Sequence, residues 1–383
     1  MKGQGAFYTG KYDNYLSRVG ISDEKAKEIL SKCFDTIFHG PEDKRLYHEV
    51  GPDMGYITDT GNDDVRTEGM SYGMMICAEL DHKDEFDRIW KWTYTNMFLS
   101  EGKNKGFFCW SNALDGSKNA DGPAPDGEEY FAMALLFASK RWGDGEGIFN
   151  YSKYACDILH EMIRIPEGDK GRGMFDPEKH LIRFITDVDF SDPSYHLPHF
   201  YELFALWAYP EDRAFFKEAA KASRDYFHKA CHPVSGLSAE YAYYDGRPYE
   251  GGQDIWGKHD WYYSDAYRTI MNIAMDHIWF SEDPWQMEEG KRFLRYQWGL
   301  NASENVNRVP LWDGTLTDDT VLHPVAVIAS NAAAAILSDG DEGLKCMEKF
   351  INTPLREGKR RYYDNLLYMF AFMMLSGNYR ILG

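Results

Sequence analysis

The sequence predicts an all-α fold, an (α/α)6 barrel in which six inner and six outer helices form two concentric rings. Three observations predict it. Helical periodicity recurs in about twelve segments of the 383-residue chain, these segments alternate between two kinds, and long aromatic-rich loops lead into one of the kinds.

The segments begin near Asp23, Glu68, Lys83, Asp126, Asn150, Pro198, Glu211, Tyr262, Pro284, His323, Asp341 and Asp364. The first has a start signal: Ser22 can cap it, and Asp23 and Glu24 place negative charge at its positive end ahead of Ile29, Leu30, Phe34 and Ile37. Lys25 stands where a capping box would need Glu or Gln. Pro284 likewise suits a first helical turn. Segments from Glu68, Asp126, Pro198, Tyr262, His323 and Asp364 are apolar nearly all round, as in YFAMALLFA, AVIASNAAAAIL and LLYMFAFMML. Such helices are buried on most sides. Those between them, such as DEFDRIWKWTYTNMF and EDRAFFKEAAKASRDYFHKA, set a charged face against an apolar stripe and form the outer layer.

In this arrangement every inner helix runs the same way, so their N-terminal ends meet at one face. The loops at that face span residues 99–125, 165–197, 231–261 and 299–322. Their length and aromatic content favour function. The run Leu181 to Ile185 reads as a short strand within them, and Ser338 to Gly343 as a tight helix connection. No Pro- or Ser-rich linker divides the chain, so residues 1–383 are read as a single catalytic domain.

A formal net charge of -19 repels phosphate backbones and anionic lipid, which excludes nucleic acid and membrane surfaces as favoured partners. No protein partner is implied. The N-terminal residues lack the apolar run of a signal peptide and no stretch is long enough to span a bilayer, so a cytoplasmic location is expected. Six cysteines without C-x-x-C spacing are expected to be buried thiols. The 11 Trp and 26 Tyr exceed what core packing calls for, and some are expected to line a groove, where rings stack on the apolar faces of sugars.

The arrangement brings Glu68, Asp126, Asp265 and His323 together at one end of the barrel. Each could simply cap a helix. Together, beside Trp110, they suit hydrolysis of a glycosidic bond, in which one carboxylic acid protonates the leaving oxygen and a second carboxylate activates water. A helix N-terminus lowers the pKa of Glu68, the wrong direction for an acid, so a nearby carboxylate such as Asp126 is expected to raise it. Gly69-Met70-Ser71-Tyr72-Gly73 also fits the G-x-S-x-G elbow of serine hydrolases, but Asn62 to Thr67 does not read as the buried strand that elbow needs. Asp187, Asp189 and Asp192, and the acidic run Asp59 to Asp64, fit no calcium loop and read as solvated carboxylates. His196 and His199 stand three apart as the remaining metal candidates; no metal or other cofactor is expected.

Three ordered motifs carry a family resemblance: Arg66-Thr67-Glu68-Gly69-Met70-Ser71-Tyr72-Gly73, Pro123-Ala124-Pro125-Asp126-Gly127-Glu128-Glu129-Tyr130, and Tyr263-Ser264-Asp265-Ala266-Tyr267-Arg268. Over nearly its whole length the chain resembles glycoside hydrolase family 8, inverting enzymes on an (α/α)6 barrel. The resemblance implies Glu68 as general acid, Asp265 as general base, Asp126 as the sugar-binding tuner of the acid, and Arg268 as the residue that orients them. Tyr195, in Asp192-Pro193-Ser194-Tyr195-His196-Leu197-Pro198, would lie near the base and its water. Leu322-His323-Pro324 resembles the loop that, in the subgroup releasing xylose from the reducing end of xylo-oligosaccharides, closes the cleft and touches the anomeric hydroxyl. Inversion implies carboxyls roughly 6.5 to 9.5 Å apart. An endo-acting xylanase or β-glucanase of the same family, and a non-catalytic glycan-binding protein, are the alternatives.

Overall fold

A computed structural model describes residues 3–252, 257–301 and 307–383. Parts of the two expected loops at 231–261 and 299–322 therefore lie outside the described residues. Among those described are thirteen α-helices, of which the first, α1 (Ala6–Thr9), is a single turn too short to leave a periodic pattern. The other twelve are α2 (Asp23–Phe34), α3 (Thr67–Leu80), α4 (Lys83–Asn96), α5 (Pro125–Trp142), α6 (Tyr151–Met162), α7 (Pro198–Trp207), α8 (Arg213–Ala230), α9 (Tyr267–Trp279), α10 (Trp285–Asn301), α11 (Pro324–Ala334), α12 (Asp341–Ile351) and α13 (Arg361–Leu375).

These are the twelve expected segments, and the alternation sorts them as expected. In α13 every residue from Arg361 to Leu375 is buried, and α5 is buried continuously from Pro125 to Ala138. In α2 only Ala26, Leu30, Cys33 and Phe34 are, which is one face. The inner ring closes: α3 packs on α5, α5 on α7, α7 on α9, α9 on α11, α11 on α13, and α13 returns to α3. Around it α4 lies on α3, α6 on α5, α8 on α7, α10 on α9 and α11, α12 on α11, and α2 on α13. Ser22 caps α2, its hydroxyl accepting from the Lys25 N–H at 3.2 Å.

Six short strands serve the loops. β1 (Tyr47–Val50) and β2 (Met54–Ile57) form an antiparallel hairpin, β3 (Val65–Arg66) pairs with β4 (Ser111–Asn112), and β5 (Arg308–Pro310) with β6 (Leu316–Thr320). β3 leads directly into α3, so a strand does precede the Glu68 motif, contrary to the expectation for residues 62–67. The run Leu181 to Ile185 is not a strand. Only Ile182 forms a bridge, to Phe175, because the groups that would extend the ladder are engaged elsewhere: the Asp176 carbonyl accepts from the His180 N–H, the Met174 N–H goes to the Met162 carbonyl, and the Phe184 N–H is taken by Phe190.

The starts of α3 and α5 touch through Gly127, where an added Cβ would stand 2.4 Å from Thr67 Cβ. Gly127→Ala is therefore expected to destabilise the protein by about 1–3 kcal/mol by overpacking, measurable as a lower urea midpoint. Activity should fall further than stability, because the residues prised apart carry Glu68 and Asp126.

Candidate active site

The N-terminal ends of the inner helices converge on one guanidinium. Arg268, in the first turn of α9, donates through Nη1 to Glu68 Oε2 (3.0 Å), Asp126 Oδ2 (2.9 Å) and Tyr72 Oη (2.8 Å), and its Nη2 pairs with Asp265 Oδ1 at 2.8 Å. Three helix starts, those of α3, α5 and α9, thus deliver three carboxyls to a buried cation. Glu68 and Asp265 meet different nitrogens of that cation. The Arg268 guanidinium also lies 5.5 Å over the Tyr195 ring.

Asp265 follows Ser264, whose φ of +37° is left-handed and uncommon for a serine. The strained residue is held by the Tyr363 hydroxyl, which donates to its carbonyl at 2.8 Å. The neighbouring Tyr362 donates to Glu68 Oε1 at 3.0 Å. The first turn of α13 thus braces both acids.

Burial pushes the Glu68 carboxyl up to about 8, the negative charges of Asp126 and Asp265 add to the rise, and Arg268 and Arg66 oppose it. The conflict with a helix N-terminus is therefore resolved mainly by desolvation, with the neighbouring carboxylates second. A Glu so placed is neutral at pH 7 and can give up a proton. Burial raises Asp126 as well, and Arg268 restrains it.

Two lobes open from this cluster, and Arg66, Glu68 and Asp265 line both. The first, of about 910 Å3, is walled by Trp110, Phe184, Ile185 and Tyr195. The second, of about 970 Å3, is walled by Tyr263, Leu322, His323, Tyr362 and Tyr363. Each is large enough for a sugar ring or more. Arg66 is fixed between them by Asp59 and Asp64, each 3.1 Å away, and stacks 5.2 Å over Trp110. A bond broken between Glu68 and Asp265 would leave one product in each lobe.

Of the residues expected here, Glu68, Asp126, Asp265, Arg268, Trp110, Tyr195, Leu322 and His323 are brought together. Pro324 is exposed and lies outside both lobes; it is the first residue of α11, where its fixed φ starts the helix and shapes the loop before it. Ser71 lies inside α3, fully buried, its hydroxyl bonded to the Glu68 carbonyl at 3.0 Å, so it is no exposed nucleophile despite the strand before it. Asp59, Asp64 and Asp192 are not solvated carboxylates. The first two clamp Arg66, and Asp192 is wholly buried, with Oδ1 accepting from the Ser194 N–H at 2.7 Å. His196 is spent on Ser191 and Ser223, each at 2.9 Å, and His199 is buried; among the described residues no group of ligands suited to a metal occurs. All six cysteines are free and buried.

Residues that the sequence did not single out complete the site. Glu240 is 3% exposed, lines the second lobe, accepts from the Lys258 N–H, and is pushed up to about 8 by burial and then by the charge of Asp265. Asp364, with no exposure, holds His323 through Nδ1 at 3.0 Å. Neither lies in a recognisable motif, although Asp364 falls in the first turn of an inner helix, the position that marked Glu68 and Asp126.

A neutral carboxylic acid facing a second carboxylate across a sugar-sized cleft, at the N-terminal mouth of an (α/α)6 barrel, defines the class: a glycoside hydrolase of acid/base type. The model of glycosyl hydrolases family 8 matches residues 52–377, and the chain belongs to that family. Over 99% of both chains it is 48% identical to the reducing-end xylose-releasing exo-oligoxylanase Rex8A of Paenibacillus barcinonensis. It is 50% identical to a reducing end xylose-releasing exo-oligoxylanase of Halalkalibacterium halodurans, over 99% of this chain and 96% of that one. A solved structure of a Rex8A variant complexed with 3(3)-alpha-L-arabinofuranosyl-xylotetraose superimposes with a TM-score of 0.96 at 48% identity, covering 99% of this chain and 98% of the other.

Proposed function

We propose that this protein is an inverting exo-oligoxylanase that releases xylose from the reducing end of β-1,4-xylo-oligosaccharides, and that residues 1–383 form one catalytic unit. The observation that carries the reading is the cleft itself: two lobes meet at Glu68 and Asp265, and the second is walled by Leu322 and His323. The likeness of the whole chain to exo-oligoxylanases supports the substrate.

In this reading Glu68, neutral at working pH, protonates the leaving oxygen, while Asp265 takes a proton from a water on the opposite face of the sugar ring. Arg268 pairs with Asp265 at 2.8 Å and so orients its carboxylate. Asp126 binds the sugar at the cleavage point, Trp110 and Tyr195 line the lobe for the remaining oligosaccharide, and Leu322 and His323 close the other around a single xylose. An inverting pair stands roughly 6.5 to 9.5 Å apart, which leaves room for water, whereas a retaining pair stands roughly 5 Å apart. No step calls for a cofactor. Among the described residues no helix is long and apolar enough to cross a membrane. A cytoplasmic location, with short imported oligosaccharides as substrates, fits the six free thiols.

The test is the first product from reducing-end-labelled xylotetraose. Labelled xylose with unlabelled xylotriose is expected from the outset. An early labelled disaccharide would instead mark endo cleavage, and tight binding without products a glycan-binding protein.

A further inference from the structure

Asp126 has a companion one turn deeper in α5. Glu129 shares its face of the helix, and both border a narrow cavity on the barrel axis beneath Arg268, but Glu129 lines neither lobe of the cleft. It is entirely buried, and its Oε1 accepts from the Tyr201 hydroxyl, which lies 3.2 Å from the Tyr195 carbonyl. Burial pushes its carboxyl well above the usual carboxylate range, so it carries a proton at neutral pH.

Met271, Leu367 and Phe370 give the cavity apolar walls, yet four polar atoms of the residues lining it have no protein partner among the described residues: Arg268 Nε, Glu129 Oε2, Ser194 Oγ and His199 Nδ1. A buried cation with an unmet N–H is costly, and here the outer nitrogens of Arg268 are taken by the acids in front of it. We propose that Glu129 is a positioning residue: with one water in this cavity it holds Arg268 from behind at Nε, and so fixes the depth at which the guanidinium presents Nη1 to Glu68 and Nη2 to Asp265. This rests on reading those two residues as acid and base. The four atoms suit one water molecule. Arg268 Nε–H and the protonated Glu129 donate to its oxygen, and its hydrogens go to Ser194 Oγ and to Nδ1 of His199, which burial pushes down to about 3 and so keeps neutral. The space, about 20 Å3 for the centre of a water molecule, takes one or two of them.

Glu129→Gln keeps the shape, an N–H for the water and an oxygen for Tyr201. Glu129→Met keeps the bulk and loses both. The experiment compares kcat and KM of the two variants and the wild type on xylotriose, with Glu68→Gln as control and urea midpoints measured alongside. Glu129→Met is expected to lower kcat by about tenfold to a hundredfold, as a cation slightly out of register would, with KM within about twofold because neither lobe is altered. Glu129→Gln is expected to restore kcat to within about threefold of the wild type. A merely structural glutamate would lower the midpoint and leave the kcat of the folded enzyme unchanged, and that result would overturn the proposal, as would a Glu129→Gln as slow as Glu129→Met. If Glu68→Gln keeps its rate, the acid and base reading fails and the proposal falls with it; if Glu68→Gln is slow and Glu129→Met is not, only the proposal falls. Should Glu129→Met not fold, a crystal structure of the wild type decides: an ordered water within about 3.2 Å of both Arg268 Nε and Glu129 Oε2 is expected, and a dry cavity contradicts the proposal.

Discussion

Glu68→Gln is expected to lower kcat on xylo-oligosaccharides by about 10²- to 10⁴-fold, the usual contribution of a general acid, while leaving the fold intact. The amide oxygen can still accept from Arg268, and the Tyr362 hydroxyl can turn to accept from the amide N–H, but there is no acidic proton for the leaving oxygen. The pH dependence gives a second reading of the same residue. The competent form is the neutral acid, populated below its pKa, so the wild-type rate should fall as pH rises through about 8. The sign for stability is the same: a carboxyl raised from 4.5 to about 8 binds its proton in the native state but not in the unfolded one. Its contribution is fully present below 4.5 and is lost as pH rises through about 8, and Glu68→Gln should remove that part of the dependence. Steady-state rates and urea midpoints across pH 5 to 9 measure both. A variant retaining more than a tenth of wild-type kcat would remove Glu68 from the acid's role. Ser71→Ala, by contrast, removes only a buried helical hydroxyl.

Arg268→Met is expected to be the most damaging single change to the site. The arginine answers three carboxyls and lies almost fully buried, so its removal leaves like charges facing one another without a counter-ion. Breaking a buried ion pair from one side costs about 3–5 kcal/mol, and the carboxyls would meet part of that cost by binding protons. Both effects remove activity, because a protonated Asp265 cannot activate water. Denaturant titration checks the first and the rate at neutral pH the second; a loss below about 1 kcal/mol with activity preserved would mean that the charges are compensated elsewhere.

The ring of helices was legible because burial leaves a mark on composition. A helix such as Arg361–Leu375, enclosed on all sides, has no room for a charged face, whereas Asp23–Phe34 keeps one. The convergence of Glu68, Asp126 and Asp265 followed from that alternation, since a closed ring brings all inner helix starts to one end. What stayed hidden depends on contacts between distant segments. Leu181 to Ile185 has the apolar and β-branched residues of a strand, but the Asp176 carbonyl and Met174 N–H that a longer ladder would use are taken by His180 and Met162. Asp192 and Asp59 look like surface carboxylates in a polar stretch and are nevertheless buried in the folded chain. Glu240 and Asp364 act through partners, Lys258 and His323, that stand 18 and 41 residues away in sequence. Charge alone points to Asp126 as the cause of the raised Glu68 pKa; the larger cause, desolvation, belongs to the closed cleft and has no signature in the motif.

The central claim is a single displacement by water between Glu68 and Asp265, and the configuration of the newly formed sugar tests it most directly. Proton NMR during the first moments of xylotriose hydrolysis, before mutarotation, is expected to show the new xylobiose end as the α-anomer, inverted from the β-linkage. A β-anomer appearing first would mean a covalent, retaining mechanism and would contradict the account.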